Sequence, residues 1–497
     1  MRLKFSVIDQ PIVKVLTMDD QVRELSFREV FEQAHLLQDI SGDNALDRYA
    51  MFRLLLAFAM DMLELKTWRD RKALLQKGHF DMDAFDRYVA LCEKDGPCFD
   101  ILDQKHPFMQ ATFDEAMDAT AIKSPAKLSP ILPSGNNHMF WDHHPESVFS
   151  MSVEQAFRAM IGLYLFCTAQ GQGFPSPVNN TTPVYVTIKG SNLFETMALN
   201  MVSVVECDPI PYGKALVPWR KHDVILPKAE CANVTLLEAY TWQPRRITLE
   251  CSESGNVRQI RLQQGKNFKG NDLWVDPCVP RYCSKKGDWL SLKPQPQRAL
   301  WRDVGTILTD KERKQYRPPI VVTQATKLLD EETRFLDIHE IGLVTNQASY
   351  VEIMEDALSL PRMLFTDEDR AEVFIGETKR IESMQYSIGK KIAEVLKDQT
   401  DVQEEAQKYF LSLMHDELLG TILTELMKAN VDDDESLTAY LNLSDQLFKK
   451  AVLNVLRDVV DKTGSTVFYL KAQTDIREKI MYECRKLIKE RNDAYGL

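Results

Sequence analysis

Thr345-Asn346-Gln347-Ala348-Ser349 stands where the chain changes character. Before it lies a long mixed region of strand patterns, turn signals and a basic middle. After it comes almost unbroken acidic, helix-forming sequence. Asn and Gln carry both donors and acceptors and make poor core. A short amide-rich segment on such a seam suits contact with a polar polymer, such as the edges of base pairs. The chain has 497 residues, too many for one compact core. The seam therefore predicts an α+β protein: a large mixed N-terminal domain over 1–362 and an antiparallel four-helix bundle over 363–497.

The C-terminal part carries the plainest pattern. Ile381, Met384, Ile388, Ile392 and Val395 keep helical spacing, as do Leu411, Met414, Leu418, Ile422 and Leu426. Phe448, Val452, Val455 and Val459 form a third stripe, and Ile476, Ile480, Cys484 and Leu487 a fourth. Breaks fall at Asp398–Asp401, Asn430–Asp434 and Asp461–Ser465. Four amphipathic helices with short connections make a bundle, the stripes its core and the acidic outer faces its only docking surface.

Toward the N-terminus the signals are shorter. Phe5–Ile8 and Ile12–Leu16 read as strands, and residues 27–95 as helical with Leu54, Leu55, Phe58, Met62 and Leu63 buried. Residues 97–150 are irregular, and a helix follows over about 153–169. Gly171–Asn180 is a loop rich in Gly, Pro and Asn. Val184–Ile188 is a strand, with a helix starting near Leu193. Strands and turns dominate 233–275, and 318–345 reads as returning strands that end in a hairpin at the seam.

The net charge of −12 argues against nucleic acid, but its distribution does not. Residues 350–497 hold 29 acidic against 20 basic residues, whereas 201–302 hold 16 basic against 10 acidic. That local excess fits either a phosphate-binding patch or a solvated surface. The longest apolar run of the first helical region, Leu54–Met60, is far short of the roughly 20 residues of a membrane span. The N-terminus has no signal-peptide core. The nine Cys are scattered as in reduced cytosolic proteins, so a cytoplasmic location is expected.

Neither a phosphate-binding Gly-rich loop ending in Lys-Ser or Lys-Thr nor a dinucleotide fingerprint occurs. Cys278 and Cys283 lack the second pair of a zinc ribbon. His143-His144 after Trp141-Asp142 keeps a metal-assisted hydrolase open as an alternative, although adjacent His without a helically spaced partner are poor ligands. No catalytic set, cofactor or metal is expected. Polar and aromatic loops remain. Phe140, Trp141 and Asp142, following Asn136-Asn137, would stack on and hydrogen-bond nucleotides if exposed, or anchor a loop if buried. Lys266 and Lys269 lie on one turn, placed either to reach a groove or to form a solvated tip.

In order along the chain, His106-Pro107-Phe108-Met109-Gln110, Thr182-Pro183-Val184, Lys189-Gly190 with Leu193, Phe194-Glu195-Thr196, Leu199-Asn200, Trp242-Gln243-Pro244, Asn271-Asp272-Leu273-Trp274 and Asn346-Gln347-Ala348-Ser349 resemble the large-subunit family of the type I-E CRISPR surveillance complex Cascade, called CasA. The resemblance implies an α+β domain followed by a four-helix bundle, and no catalysis. It implies recognition of the protospacer-adjacent motif in double-stranded target DNA and opening of the duplex for the CRISPR guide RNA. It also implies assembly with the other Cascade subunits and recruitment of a helicase–nuclease. The guide then reads sequence while protein reads the short flanking motif.

By position, Asn346 and Gln347 match the family's wedge, and Lys266, with Lys269 as the alternative, matches a lysine finger entering the minor groove. Phe140, Trp141 and Asp142 match a loop used near the motif. The family's glycine-rich loop falls at Gly173, Phe174, Pro175 and Ser176. Here the chain departs: Pro175 and Pro177 stiffen the loop and remove amide donors, leaving Ser176 or carbonyls for contact and the preferred motif open. An adaptor that only bridges proteins is the third reading.

Overall fold

The computed structural model describes residues 4–112, 121–132, 149–167, 174–179, 181–202, 217–221, 230–252, 255–269, 274–296, 300–308, 316–329, 333–346, 349–397 and 399–496. Two compact units emerge, one made of Met1–Arg298 with Arg317–Ser359, the other of Ala299–Tyr316 with Leu360–Leu497.

The first unit is organised around the helix Ala45–Leu63. Asn44 caps it by accepting the Asp47 amide, and Glu64 ends it in the left-handed region at φ 46°. Almost every position from Leu46 to Asp61 is buried, as expected of a helix apolar all round. Leu54, Leu55 and Phe58 lie inside; Met62 and Leu63 are only half-buried. The equally buried helix Val153–Phe166 packs along it. Phe58 is the hub of an aromatic cluster, with ring centroids 5.6 Å from Phe27, 5.5 Å from Phe85 and 5.8 Å from Phe99. Such pairs contribute about 0.5–1.5 kcal/mol each beyond the area they bury.

Among the described residues five sheets form, three of which frame the site. Val13–Thr17 runs between Val22–Leu25 and Leu37–Ile40, antiparallel to both. Arg245–Cys251 and Asn256–Gln264 form a hairpin whose second strand also pairs with Ile122–Lys123 and Met151–Ser152. Tyr185–Lys189 pairs antiparallel with Phe335–Asn346, from Asp337 opposite Lys189 to Ile341 opposite Tyr185. Ser349–Pro361 lies on the far side of Phe335–Asn346.

Several expectations fail locally. Phe5–Ile8 is no strand; Ser6 makes a single bridge to Asp100. The helical stretch 27–95 is interrupted by the strand Leu37–Ile40. A helix, Leu236–Tyr240, opens the region read as strands, started by the Thr235–Glu238 capping box. Within 318–345, Ile320–Leu328 is helical. Its Ile-Val-Val-Thr run favours a strand by propensity. Pro319 at the N-cap and burial of Val321, Val322, Gln324, Ala325 and Leu328 at helical spacing override it.

The second unit contains the expected bundle. Its helices are Glu368–Val395, Thr400–Lys428 with a π turn over Leu413–Leu418, Asp434–Asp458 and Val467–Ala494. Asp367, Asp433 and Thr466 cap three of them. The predicted stripes face inward, with only Val395, Leu411 and Leu487 half-buried. The helix Leu300–Ile307 packs on Glu368–Val395 as an addition the stripes did not foretell. Among the described residues no helix is long and apolar enough to cross a membrane.

Candidate nucleic-acid interface

Two neighbouring strands meet at the seam, one ending at Asn346 and the next starting at Ser349. Phe335–Asn346 and Ser349–Pro361 are hydrogen-bonded neighbours joined through residues 347–348, a connection short enough only for antiparallel strands. Asn346 is exposed at the end of its strand. The register with Tyr185–Lys189 fixes what lies beside it. From Tyr185 back to Thr182 the chain runs alongside Ile341 toward Asn346, and the Thr182 hydroxyl donates to the Leu343 carbonyl at 3.1 Å. The segment arriving from Phe174 therefore enters this sheet at the end where Asn346 sits.

That segment is held from below by Arg245. Its Nη1 donates to the Pro175 carbonyl at 2.6 Å and to the Pro244 carbonyl at 3.0 Å, and its guanidinium lies 4.9 Å from the centroid of the Phe174 ring. Arg245 has no exposed surface. Burial lowers its pKa, yet a guanidinium stays charged. Pro175 and Pro177 are buried, and Ser176 between them is exposed.

The same corner carries the lysine turn. The Lys266 amide donates to the Gln243 carbonyl at 2.9 Å and the Gly265 amide to the Pro244 carbonyl at 3.0 Å. A Cβ on Gly265 would lie 2.5 Å from the Gln243 oxygen, so only glycine allows this approach. Lys266 is half-buried with Nζ 5.8 Å from the centroid of the Trp242 ring, a cation–π distance. Lys269 is exposed, 3.6 Å from Glu230. The Gln243 amide in turn donates to the Met109 carbonyl at 2.8 Å, which also receives the Tyr164 hydroxyl at 3.0 Å. Met109 is held in the left-handed region, at φ 58°.

Beyond the loop, Asn179 is a second anchor. Its Nδ2 donates to the Tyr185 hydroxyl at 3.1 Å and to Asp276 at 3.0 Å, and its Oδ1 accepts from the Trp274 indole at 2.7 Å. Asp276 is locked in a two-pronged pair with Arg53 at 3.1 and 2.6 Å, both residues buried. Arg53 also lies 3.9 Å from the centroid of the Tyr240 ring. Burial raises the Tyr185 and Tyr240 hydroxyls and pushes the Cys278 thiol up to about 11. These groups therefore serve as hydrogen-bonding and aromatic surfaces, not as acids.

The structure thus gathers Phe174, Pro175, Ser176 and Lys266 on one corner, Trp242–Arg245, and leads the loop toward Asn346. The expected turn is in part a strand: Asn267–Phe268 pairs parallel with Glu230–Cys231, and Lys269 stands exposed just past it. Phe140, Trp141, Asp142, Gly173 and Gln347 lie outside the described residues, as do His143 and His144. Among the described residues no group of three or more His, Cys, Asp and Glu side chains is placed to hold a metal. Sequence reading missed Arg245, Asn179, Asp276 and Arg53. The available signal was Arg245-Arg246 at the start of a buried strand, two charges directly after Trp242-Gln243-Pro244.

A loop-bearing α+β unit with a four-helix bundle defines an architecture with known counterparts. The profile of the family described as CRISPR-associated protein Cse1 matches residues 7–487, and the chain belongs to that family. A CRISPR-associated protein CasA/Cse1 of Thermus thermophilus is 26% identical over 382 residues, covering 73% of this chain and 72% of the relative. The crystal structure of Thermobifida fusca Cse1 superposes with a TM-score of 0.79 at 20% identity, covering 98% of each chain. A chain of a structure described as a CRISPR RNA-guided surveillance complex superposes with a TM-score of 0.73 at 16% identity, covering 96% of this chain and 99% of that one.

Proposed function

We propose that this chain is the large, non-catalytic subunit of a CRISPR RNA-guided surveillance complex. It reads a short flanking motif in double-stranded DNA, opens the adjoining duplex for guide RNA pairing, and recruits a helicase–nuclease that makes the cuts. Its partners are the other subunits of the complex, the guide RNA and target DNA. Family membership and the likeness to a chain of a surveillance complex support the subunit role. The observation that carries the DNA reading is the corner Trp242–Arg245, which supports both the loop at Phe174–Ser176 and the turn at Lys266. That loop runs on toward the hairpin end at Asn346.

In this reading Lys266 or Lys269 reaches the minor groove as a point charge, and the 174–176 loop lies against the same groove. Phe140, Trp141 and Asp142 act near the motif. Asn346 and Gln347 insert between the first target base pairs. Unstacking a step costs a few kcal/mol, offset by protein contacts and guide pairing. The experiment is guide–DNA hybrid formation by assembled complexes carrying Gln347→Ala or Asn346→Ala, on intact duplex and on duplex mismatched at the first target pairs. Slower opening of intact duplex, rescued by the mismatches, supports wedging. An equal defect on both substrates means binding without wedging, and no defect on either removes the hairpin from the mechanism.

A further inference from the structure

Arg245 is a buried cation at the start of the strand Arg245–Cys251, and its Nη1 donates to irregular backbone. That one Nη1 reaches the carbonyls of Pro175 and Pro244 together, and the guanidinium carbon lies 4.9 Å from the centroid of the Phe174 ring. Seventy residues separate Arg245 from Pro175. Further along, Asn179 ties the chain to Asp276, Trp274 and Tyr185, and Thr182 ties it to Leu343. The four residues from Pro175 to Val178 include two prolines with fixed φ. Both flanks are therefore fastened and the interior is stiff. Ser176 is the exposed side chain of this span, while Pro175, Pro177 and Val178 are buried.

We propose that Arg245 is the positioning residue of the Phe174–Asn179 loop, and that it presets the single exposed hydroxyl of Ser176 as a specificity-determining contact with the flanking motif. A loop already fixed loses little entropy on binding. A hydroxyl both donates and accepts, so it can meet the acceptors common to all minor-groove pairs or the guanine amine. A motif read this way is graded among sequences rather than restricted to one. The inference rests on the reading that this loop contacts DNA.

The test uses the assembled complex with its guide and a panel of intact duplexes that differ only in the flanking motif. The measured quantity is the ratio of affinities for the best and worst motifs, beside affinity for duplex pre-opened at the first target pairs. Arg245→Gln is expected to lower the ratio about tenfold, the size of one lost base-pair discrimination, with affinity for pre-opened duplex little changed and the melting temperature of the subunit lowered by the lost buried donors. A merely structural role would lower affinity for every motif and for pre-opened duplex alike, leaving the ratio unchanged, and overturns the proposal. Arg245→Lys keeps the buried cation and one donor but lacks the planar fork. It is expected to lower the ratio about threefold, and it decides the matter if Arg245→Gln does not assemble. Ser176→Asp, which puts a negative charge against phosphates, separates the two levels. If Ser176→Asp abolishes motif discrimination while the Arg245 variants leave it intact, the loop reads DNA without Arg245 and the proposal fails alone. If none of the three variants changes the ratio, the loop does not read DNA and both fail.

Discussion

In both units buried arginines pair with carboxylates, as Arg53 does with Asp276 in the first, but the balance between pairing and holding backbone differs. In the bundle, Arg380 and Arg491 pair with Glu377 and Asp445, linking three helices in a closed network with Arg380–Glu377 at 2.5 Å and both Arg491–Glu377 and Arg491–Asp445 at 2.8 Å. In the N-terminal unit, Arg71, Arg158 and Arg245 donate to backbone carbonyls of Leu199, Ile12 and Pro175. Bundle arginines reach carbonyls too: Arg370 donates to Leu426 and Ala429 at the end of the second helix, the latter at 2.8 Å, and Arg491 donates to Leu441 at 3.1 Å. A regular helix satisfies its own carbonyls except at its last turn. Buried irregular backbone cannot, and each of its oxygens needs a donor. The guanidinium supplies several donors from one side chain. Arg245 supplies such a donor to the loop at Pro175, whereas Arg71 reaches Leu199 in the last turn of the helix Leu193–Asn200.

The largest effect is expected from breaking the bundle network. Glu377→Ala leaves two buried guanidinium groups short of a carboxylate and should destabilise the second unit by about 3–5 kcal/mol, read from denaturant unfolding of the full chain. A loss below about 1 kcal/mol would mean that this network holds the helices no more tightly than surface pairs do.

The next contrast sets glycine against glycine. A Cβ on Gly265 meets the backbone of Gln243 and Arg245 at 2.5 and 2.7 Å, whereas one on Gly389 meets the tip of the Gln407 side chain at 2.3 Å. Backbone in a fastened corner cannot retreat and a glutamine tip can. Gly265→Ala should cost about 1–3 kcal/mol and displace Lys266. Gly389→Ala should be nearly neutral, since helix propensity returns about 1 kcal/mol. Equal melting temperatures for the two variants would erase the distinction between the units.

A smaller effect depends on pH. Asp47 is buried beside Asp43, and burial first, then that neighbouring charge, raises its pKa from 3.8 to about 7. The folded chain then holds a proton that the unfolded chain has lost, so stability falls as pH rises from about 4 to 7 and levels off above. Asp47→Asn keeps an acceptor for Asn44, which donates to Asp47 at 2.7 Å. It should flatten that slope, leaving the variant more stable than the parent at pH 8 by on the order of 1 kcal/mol. Parallel pH–stability curves for parent and variant would argue that Asp47 is ionised in the fold. The smallest effect belongs to the hairpin end: exposed Asn346→Ala should change stability by no more than about 0.5 kcal/mol, even if it slows duplex opening.

The bundle was legible residue by residue because a helix repeats its buried face every 3.6 residues. Ile381–Ile392 and Phe448–Val459 state that repeat without help from the rest of the chain. The N-terminal unit was legible only in pieces. Tyr185–Lys189 and Val153–Phe166 stood out. Ile320–Leu328 was misread because its β-branched run says strand while burial says helix. The Thr235–Glu238 capping box was visible in the sequence and passed over.

For the candidate site, the polar seam, the proline-stiffened loop and the lysine turn could each be named from the chain, as could Trp242-Gln243-Pro244. Sequence by itself determined these because composition, turn chemistry and periodicity are local. Only the tertiary structure decided that the loop and the lysine turn share one corner, that Arg245 rather than a surface lysine holds Pro175, and that Asn179 reaches the Arg53–Asp276 pair. Those contacts join residues 70, 97 and 223 positions apart. Which donor meets which carbonyl at such separations is set by how sheets and helices pack around the Ala45–Leu63 helix, and no window of neighbouring residues contains that information.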